Sequence, residues 1–240
     1  MVFRRFTTFV LLLLTVGLVF CVTPWEEFWS YNSSHDGQGM LTLISKLENS
    51  GVETLNATDT AILAYAYTEY ANWGLPPDDP EKERLYEKAL EYADRAIDKD
   101  ENNAFAHYVK GATIGRLAQY KGIIQSLFML DDFDRHILKA IELDPNNFLA
   151  YVAMGMRYRD TPWPFRSYRK AESYLKKAIE IEPRYVNAYY ELAVLYELMK
   201  RYDEARQLYE KILEIEPHPF FVAQAMETKE IAEKWLEEHK

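Results

Sequence analysis

Cysteine is nearly absent: Cys21 is the only one in 240 residues. The chain can therefore close no internal disulfide and build no site of several thiolates around zinc. Glycine and proline are sparse, 9 and 10, too few for a turn-rich strand architecture or a low-complexity linker. Positive charge is short as well, 28 Lys and Arg against 38 Asp and Glu for a net charge of −10. A nucleic-acid reader needs a basic face to displace phosphate counterions, so nucleic acid is excluded as a partner. The five histidines, His35, His107, His136, His218 and His239, include no pair spaced i, i+4 around a Glu as a zinc helix requires. Asp131-Asp132-Phe133-Asp134 lacks the alternation and distal Glu of a calcium loop and is expected to cap or solvate a helix. No phosphate-cradling glycine loop or nucleophile elbow is present, so neither cofactor nor catalysis is expected. What remains is 48% apolar residues, rich in Ala, Leu, Glu, Lys and Tyr. That composition specifies an all-α chain.

One uninterrupted apolar run occurs. Phe6 to Val22 follows Arg4-Arg5 and precedes Thr-Pro-Trp-Glu-Glu, the order of a charged leader, a hydrophobic stretch and a polar exit. Its length lies between a signal peptide and a spanning helix, and three outcomes stay open. Residues 1–22 form an uncleaved signal anchor, or a cleaved signal that releases the protein, or a lipoprotein signal. Leu18-Val19-Phe20-Cys21 resembles the last of these, with Cys21 as the lipid attachment site and Phe20 where such signals carry a small residue. Export, with the arginine pair toward the cytoplasm, is common to all three. Membrane attachment through residues 6–22 and a periplasmic or exterior location follow from the first and third. Glu26 and Glu27 are read as the polar flank of this segment.

The rest of the chain is periodic. Residues 184–217 place Tyr189, Leu192, Ala193, Tyr196, Ala205, Tyr209 and Pro217 at the spacing of a 34-residue helical hairpin. The aromatic and Leu positions face the partner helix, Ala193 and Ala205 allow close approach, and Pro217 ends the second helix. Residues 146–183 repeat the pattern with Tyr151, Gly155, Tyr158, Ala171, Leu175 and Pro183, lengthened by a loop at Arg159–Phe165. Residues 102–145 carry Gly111, Ile137 and Ala140, but Gly115–Asp132 expands the unit, reading as a longer first helix, a bend near Gly122 and an apolar entry to the second. Residues 58–101 complete the array. Residues 23–57 are expected to hold one short capping helix from Met40 to Asn49, and residues 218–240 a final capping helix.

These spacings identify the chain as a member of the tetratricopeptide repeat (TPR) class. The expected architecture is an antiparallel helix-hairpin solenoid preceded by a hydrophobic N-terminal helix. Ala106-His107-Tyr108, then Gly115-Arg116-Leu117-Ala118-Gln119-Tyr120-Lys121-Gly122 and His136 to Pro145, resemble the regulator-of-microtubule-dynamics TPR domains. They are also similar to TPR lipoproteins associated with TRAP transporters. The resemblance implies a TPR domain that binds a protein or an apolar ligand, with membrane tethering and lipid binding in the eukaryotic relatives, and no catalysis. Gly115, Arg116, Tyr120 and Gly122 match its pattern.

In a TPR hairpin the first helix lines the concave face. By register those positions are Phe105, Tyr108, Ala112, Gly115 and Arg116 in one unit, Leu149, Val152, Met156 and Arg159 in the next, and Asn187, Tyr190, Val194, Glu197 and Leu198 in the last; the binding candidates among them are Phe105, Tyr108, Arg116, Val152, Met156, Arg159, Tyr190, Val194 and Leu198. Clamps for charged peptide termini display Lys, Arg and Asn there. This face is instead an apolar trough with Arg116 and Arg159 near one edge. The expected function is an exported, membrane-tethered binding or assembly module that recognises a protein partner through its concave face. The alternative is a carrier or transporter accessory for an apolar or lipid-like ligand with an anionic end. A trough filled by the chain's own loops is a third possibility.

Overall fold

The computed structural model describes residues 22–239. They form eleven α-helices and one short 3₁₀ turn at Val52–Thr54, with no strand among them. The hydrophobic N-terminal helix expected over residues 6–22, and Cys21 with it, lies outside the described residues apart from Val22. No described helix is long and apolar enough to cross a membrane.

The first difference from the sequence expectation is at the N-terminus. Residues 23–57 hold two helices, α1 (Pro24–Ser34) and α2 (Gly37–Asn49), which pair as a complete hairpin. Thr23 caps α1 through a reciprocal capping box with Glu26, and Pro24 occupies its first turn. Glu26 and Glu27, read from the sequence as the polar flank of the apolar segment, lie in the first turn of a folded helix; the segment they would flank lies outside the described residues. Glu27 reaches Lys46 of α2 at 2.6 Å.

Four further hairpins follow: α3 (Ala57–Trp73) with α4 (Glu81–Lys99), α5 (Ala104–Lys121) with α6 (Ile123–Leu143), α7 (Phe148–Asp160) with α8 (Tyr168–Ile181), and α9 (Val186–Leu198) with α10 (Tyr202–Glu214). A last helix, α11 (Val222–Glu238), packs on α9 and α10. Asn56, Asn103 and Asn147 begin α3, α5 and α7, each side chain accepting from a backbone N–H of the first turn. Small residues set the spacing within hairpins. A Cβ on Gly111 would lie 2.6 Å from Ile137, and one on Gly155 would lie 2.5 Å from Leu175. Ala193 and Ala205 are fully buried at the α9–α10 contact.

The expansion lengthens both helices of the third hairpin. They meet at Gly122, whose φ of 82° lies in the left-handed region that glycine tolerates. Asp131, Asp132 and Asp134 lie inside α6 and so cap nothing. Asp134 instead receives two hydrogen bonds from Arg157 of α7.

Candidate ligand-binding cavity

The odd-numbered helices line the inside of the solenoid, and its two ends meet. Asn32 of α1 donates to the Phe220 carbonyl at 3.2 Å, Ser33 donates to the Pro219 carbonyl at 2.6 Å, and Trp29 stacks on Phe220. His35 lies 3.2 Å from Glu227 of α11. These contacts convert an open concave face into a cavity of about 920 Å³, at the upper end of the range for single small-molecule sites.

The cavity has a floor and a solvent side. Where α5, α7, α9 and α11 begin, Phe105, Phe148, Tyr185 and Phe221 join Trp25 and Trp29 in an aromatic cluster of edge-to-face and tilted contacts. Tyr65 and Tyr108 lie just above, their hydroxyls 3.2 Å apart. Toward the other end the lining residues Ile123 and Ile231 are 70% and 46% exposed, so the cavity opens there.

Of the nine binding candidates taken from repeat register, Tyr108, Arg116, Val152, Met156 and Tyr190 line this cavity. The other four do not. Phe105 belongs to the floor cluster, packed on Trp25, Tyr65 and Tyr108. Val194 and Leu198 lie outside the lining, and Leu198 is exposed. α11 packs beside this part of α9, where Trp235 donates to Glu197 at 2.9 Å. Arg159 is no anion anchor. Its side chain is 8% exposed and ion-paired with equally buried Glu191 and with Asp160, so its donors are occupied. Arg157, which does reach the lining, is likewise committed to Asp134.

Arg116 is different. Among the described residues it has no hydrogen-bond or ion-pair partner, only electrostatic ones. Burial disfavours its charge, and the Glu69 carboxylate with the hydroxyls of Tyr86, Tyr65 and Tyr108 more than offsets this, raising its pKa. Lys82, from the first turn of α4, is the second cation. It donates to the Asn72 carbonyl at 3.0 Å, and burial and then Arg116 lower its pKa. Two cations therefore face walls formed by Leu149, Val152, Met156, Met129 and Phe133.

Register reasoning missed Lys82, Glu69, Tyr185 and Gln224, all of which line the cavity. Lys82 comes from a second helix, and Gln224 from a helix outside the repeat. Glu69 had a signal, being one of only two charges in α3. The walls are consequently more polar than an apolar trough.

Stacked helical hairpins with a residue-lined interior define a TPR helical-repeat protein-interaction module. More specifically, the chain belongs to the family described as regulator of microtubule dynamics protein 1-3, whose model matches residues 30–160; a tetratricopeptide-repeat model matches residues 166–228. Regulator of microtubule dynamics protein 1 of Mus musculus is 29% identical over 139 residues, covering 51% of this chain and 45% of the relative. The Pongo abelii protein of that name is 29% identical over 123 residues, covering 45% and 39%. The chain thus spans less than half the length of these relatives. A thermophilic TPR protein of Thermus thermophilus superposes with a TM-score of 0.67 at 20% identity, over 87% of this chain and 96% of its own. That likeness concerns the fold.

Proposed function

We propose that this TPR module is a carrier or sensor for a small, mainly apolar ligand with an anionic end, held in the cavity and anchored by Arg116. The observation that supports it is Arg116 itself: a guanidinium without a partner, flanked by Lys82, inside walls of Leu, Val, Met and Phe side chains. Arg116 is half-buried and Glu69 balances its charge without a direct ion pair, so its N–H donors stay open for an anionic ligand group. Closure of the solenoid by α1 and α11 also disfavours a long partner segment lying along the concave face. A protein partner reaches the interior only with a chain end through the mouth, and otherwise binds the outer surface. Export and membrane tethering through residues 6–22 belong to the same reading and rest on the Arg4-Arg5 leader and the apolar run. The relatives' naming for microtubule dynamics carries over only as far as the matched part, and the reading does not depend on it.

The test is mass spectrometry of small molecules that co-purify with the full-length chain, wild type against Met156→Glu. The substitution places a carboxylate in the cavity and leaves residues 6–22 untouched. A bound amphiphile present in wild type and lost in the variant is expected. Identical contents in both would contradict the cavity as the site.

A further inference from the structure

The polar groups facing the cavity include acceptors that lack donors as well as donors that lack acceptors. Arg116 and the Tyr185 hydroxyl have no hydrogen-bond partner among the described residues. Glu69 receives only a long 3.4 Å contact from the Asn72 side-chain amide. The Gln224 side-chain oxygen is enclosed and accepts no hydrogen bond, an arrangement that folded proteins avoid unless something else supplies the donor.

Helices α3 and α5 are locked side by side. Thr68 and Thr113 share a hydrogen bond of 2.6 Å, one residue before Glu69 and one turn before Arg116, and the Tyr65 and Tyr108 hydroxyls meet below them. Glu69 and Arg116 therefore project into one space from neighbouring helices, yet they form no ion pair with each other.

We propose that the ligand's head carries a hydrogen-bond donor beside its anionic group, an ammonium in the simplest case. The anion sits on Arg116, the donor is held by the Glu69 carboxylate, and the Gln224 oxygen accepts a further N–H. The ligand class is an α-amino acid head on an apolar chain, or a head of the same chemistry. The proposal rests on the cavity reading above and refines it. A plain fatty carboxylate satisfies Arg116 but brings its charge against Glu69 and leaves Gln224 without a donor. Adding an ammonium turns the first contact into an attraction and fills the second need.

Octanoate and 2-aminooctanoate differ by this one group, and isothermal titration of the full-length chain with each tests the idea. The amino acid is expected to bind about tenfold more tightly to wild type, since a hydrogen bond to a charged group is involved. Glu69→Gln should erase that preference while leaving octanoate binding at or above its wild-type level, and Arg116→Met should abolish both. Gln224→Leu, a milder change, should reduce the preference in part. Equal or tighter binding of octanoate by wild type would overturn the proposal while leaving the cavity reading intact. So would Glu69→Gln strengthening both ligands equally, the behaviour of a carboxylate that serves only as the arginine's own counterion. If neither ligand binds wild type, the cavity reading itself falls.

Discussion

Arg159 near the end of α7 and Glu191 in α9 form an ion pair in which both side chains are only 8% exposed, and Asp160 holds the other edge of the guanidinium. The pair joins the fourth and fifth hairpins, α7–α8 and α9–α10. Such a pair adds little net stability over an apolar filling, but removing one partner strands a buried charge.

Arg159→Met should therefore cost about 3 to 5 kcal/mol, read as a fall in the urea midpoint with an unchanged slope. Arg159→Met combined with Glu191→Met should recover most of it. A loss below about 1 kcal/mol for the single variant would mean that Glu191 stays hydrated.

Acid stability should depend on His136. Its Nδ1 lies 3.0 Å from Nδ1 of His107, whose Nε2 faces the Glu101 carbonyl. That carbonyl makes the His107 Nε2 the donor, so His136 donates through Nδ1. Burial, then Lys110, His107 and Arg135, lower the His136 pKa to about 4, with Asp94 acting the other way. The unfolded chain binds this proton at higher pH than the folded one. The contribution is whole above pH 6.5 and is lost as pH falls from there toward 4, by roughly 3 kcal/mol. Denaturant midpoints across that window check it, and His136→Phe should flatten the slope.

Close packing between paired helices gives a third expectation. Gly155→Val puts carbon where Leu175 already lies 2.5 Å from a Cβ position and should cost about 1 to 3 kcal/mol by overpacking. Thermal unfolding measures it. No loss would show that α7 and α8 separate freely.

The last three repeats were legible because each carries its own stop and its own small residues. Pro145, Pro183 and Pro217 end second helices, and Ala193 and Ala205 mark a close approach, all local chemistry. Closure of the solenoid was not legible, because Asn32 bonds to a carbonyl 188 residues away and nothing local announces that. The Thr23 and Glu26 capping box that starts α1 was legible in the sequence as an S/T-x-x-E pattern. Five of the nine register-derived candidates line the cavity, since register fixes which helix face turns inward. It does not reveal that α11 packs beside the end of α9, or that Glu191 and Asp160 occupy Arg159. Lys82 was missed because it comes from the second helix of its hairpin.

The central claim is that Arg116 anchors an anionic ligand in an apolar cavity. Displacement of a fluorescent fatty-acid probe from the full-length chain tests it, with wild type, Arg116→Met and Arg159→Lys compared. Saturable one-to-one binding is expected in wild type, weakened about tenfold or more by Arg116→Met, since a charge-assisted contact is lost, and retained by Arg159→Lys. Equal probe affinity in wild type and Arg116→Met would contradict the account.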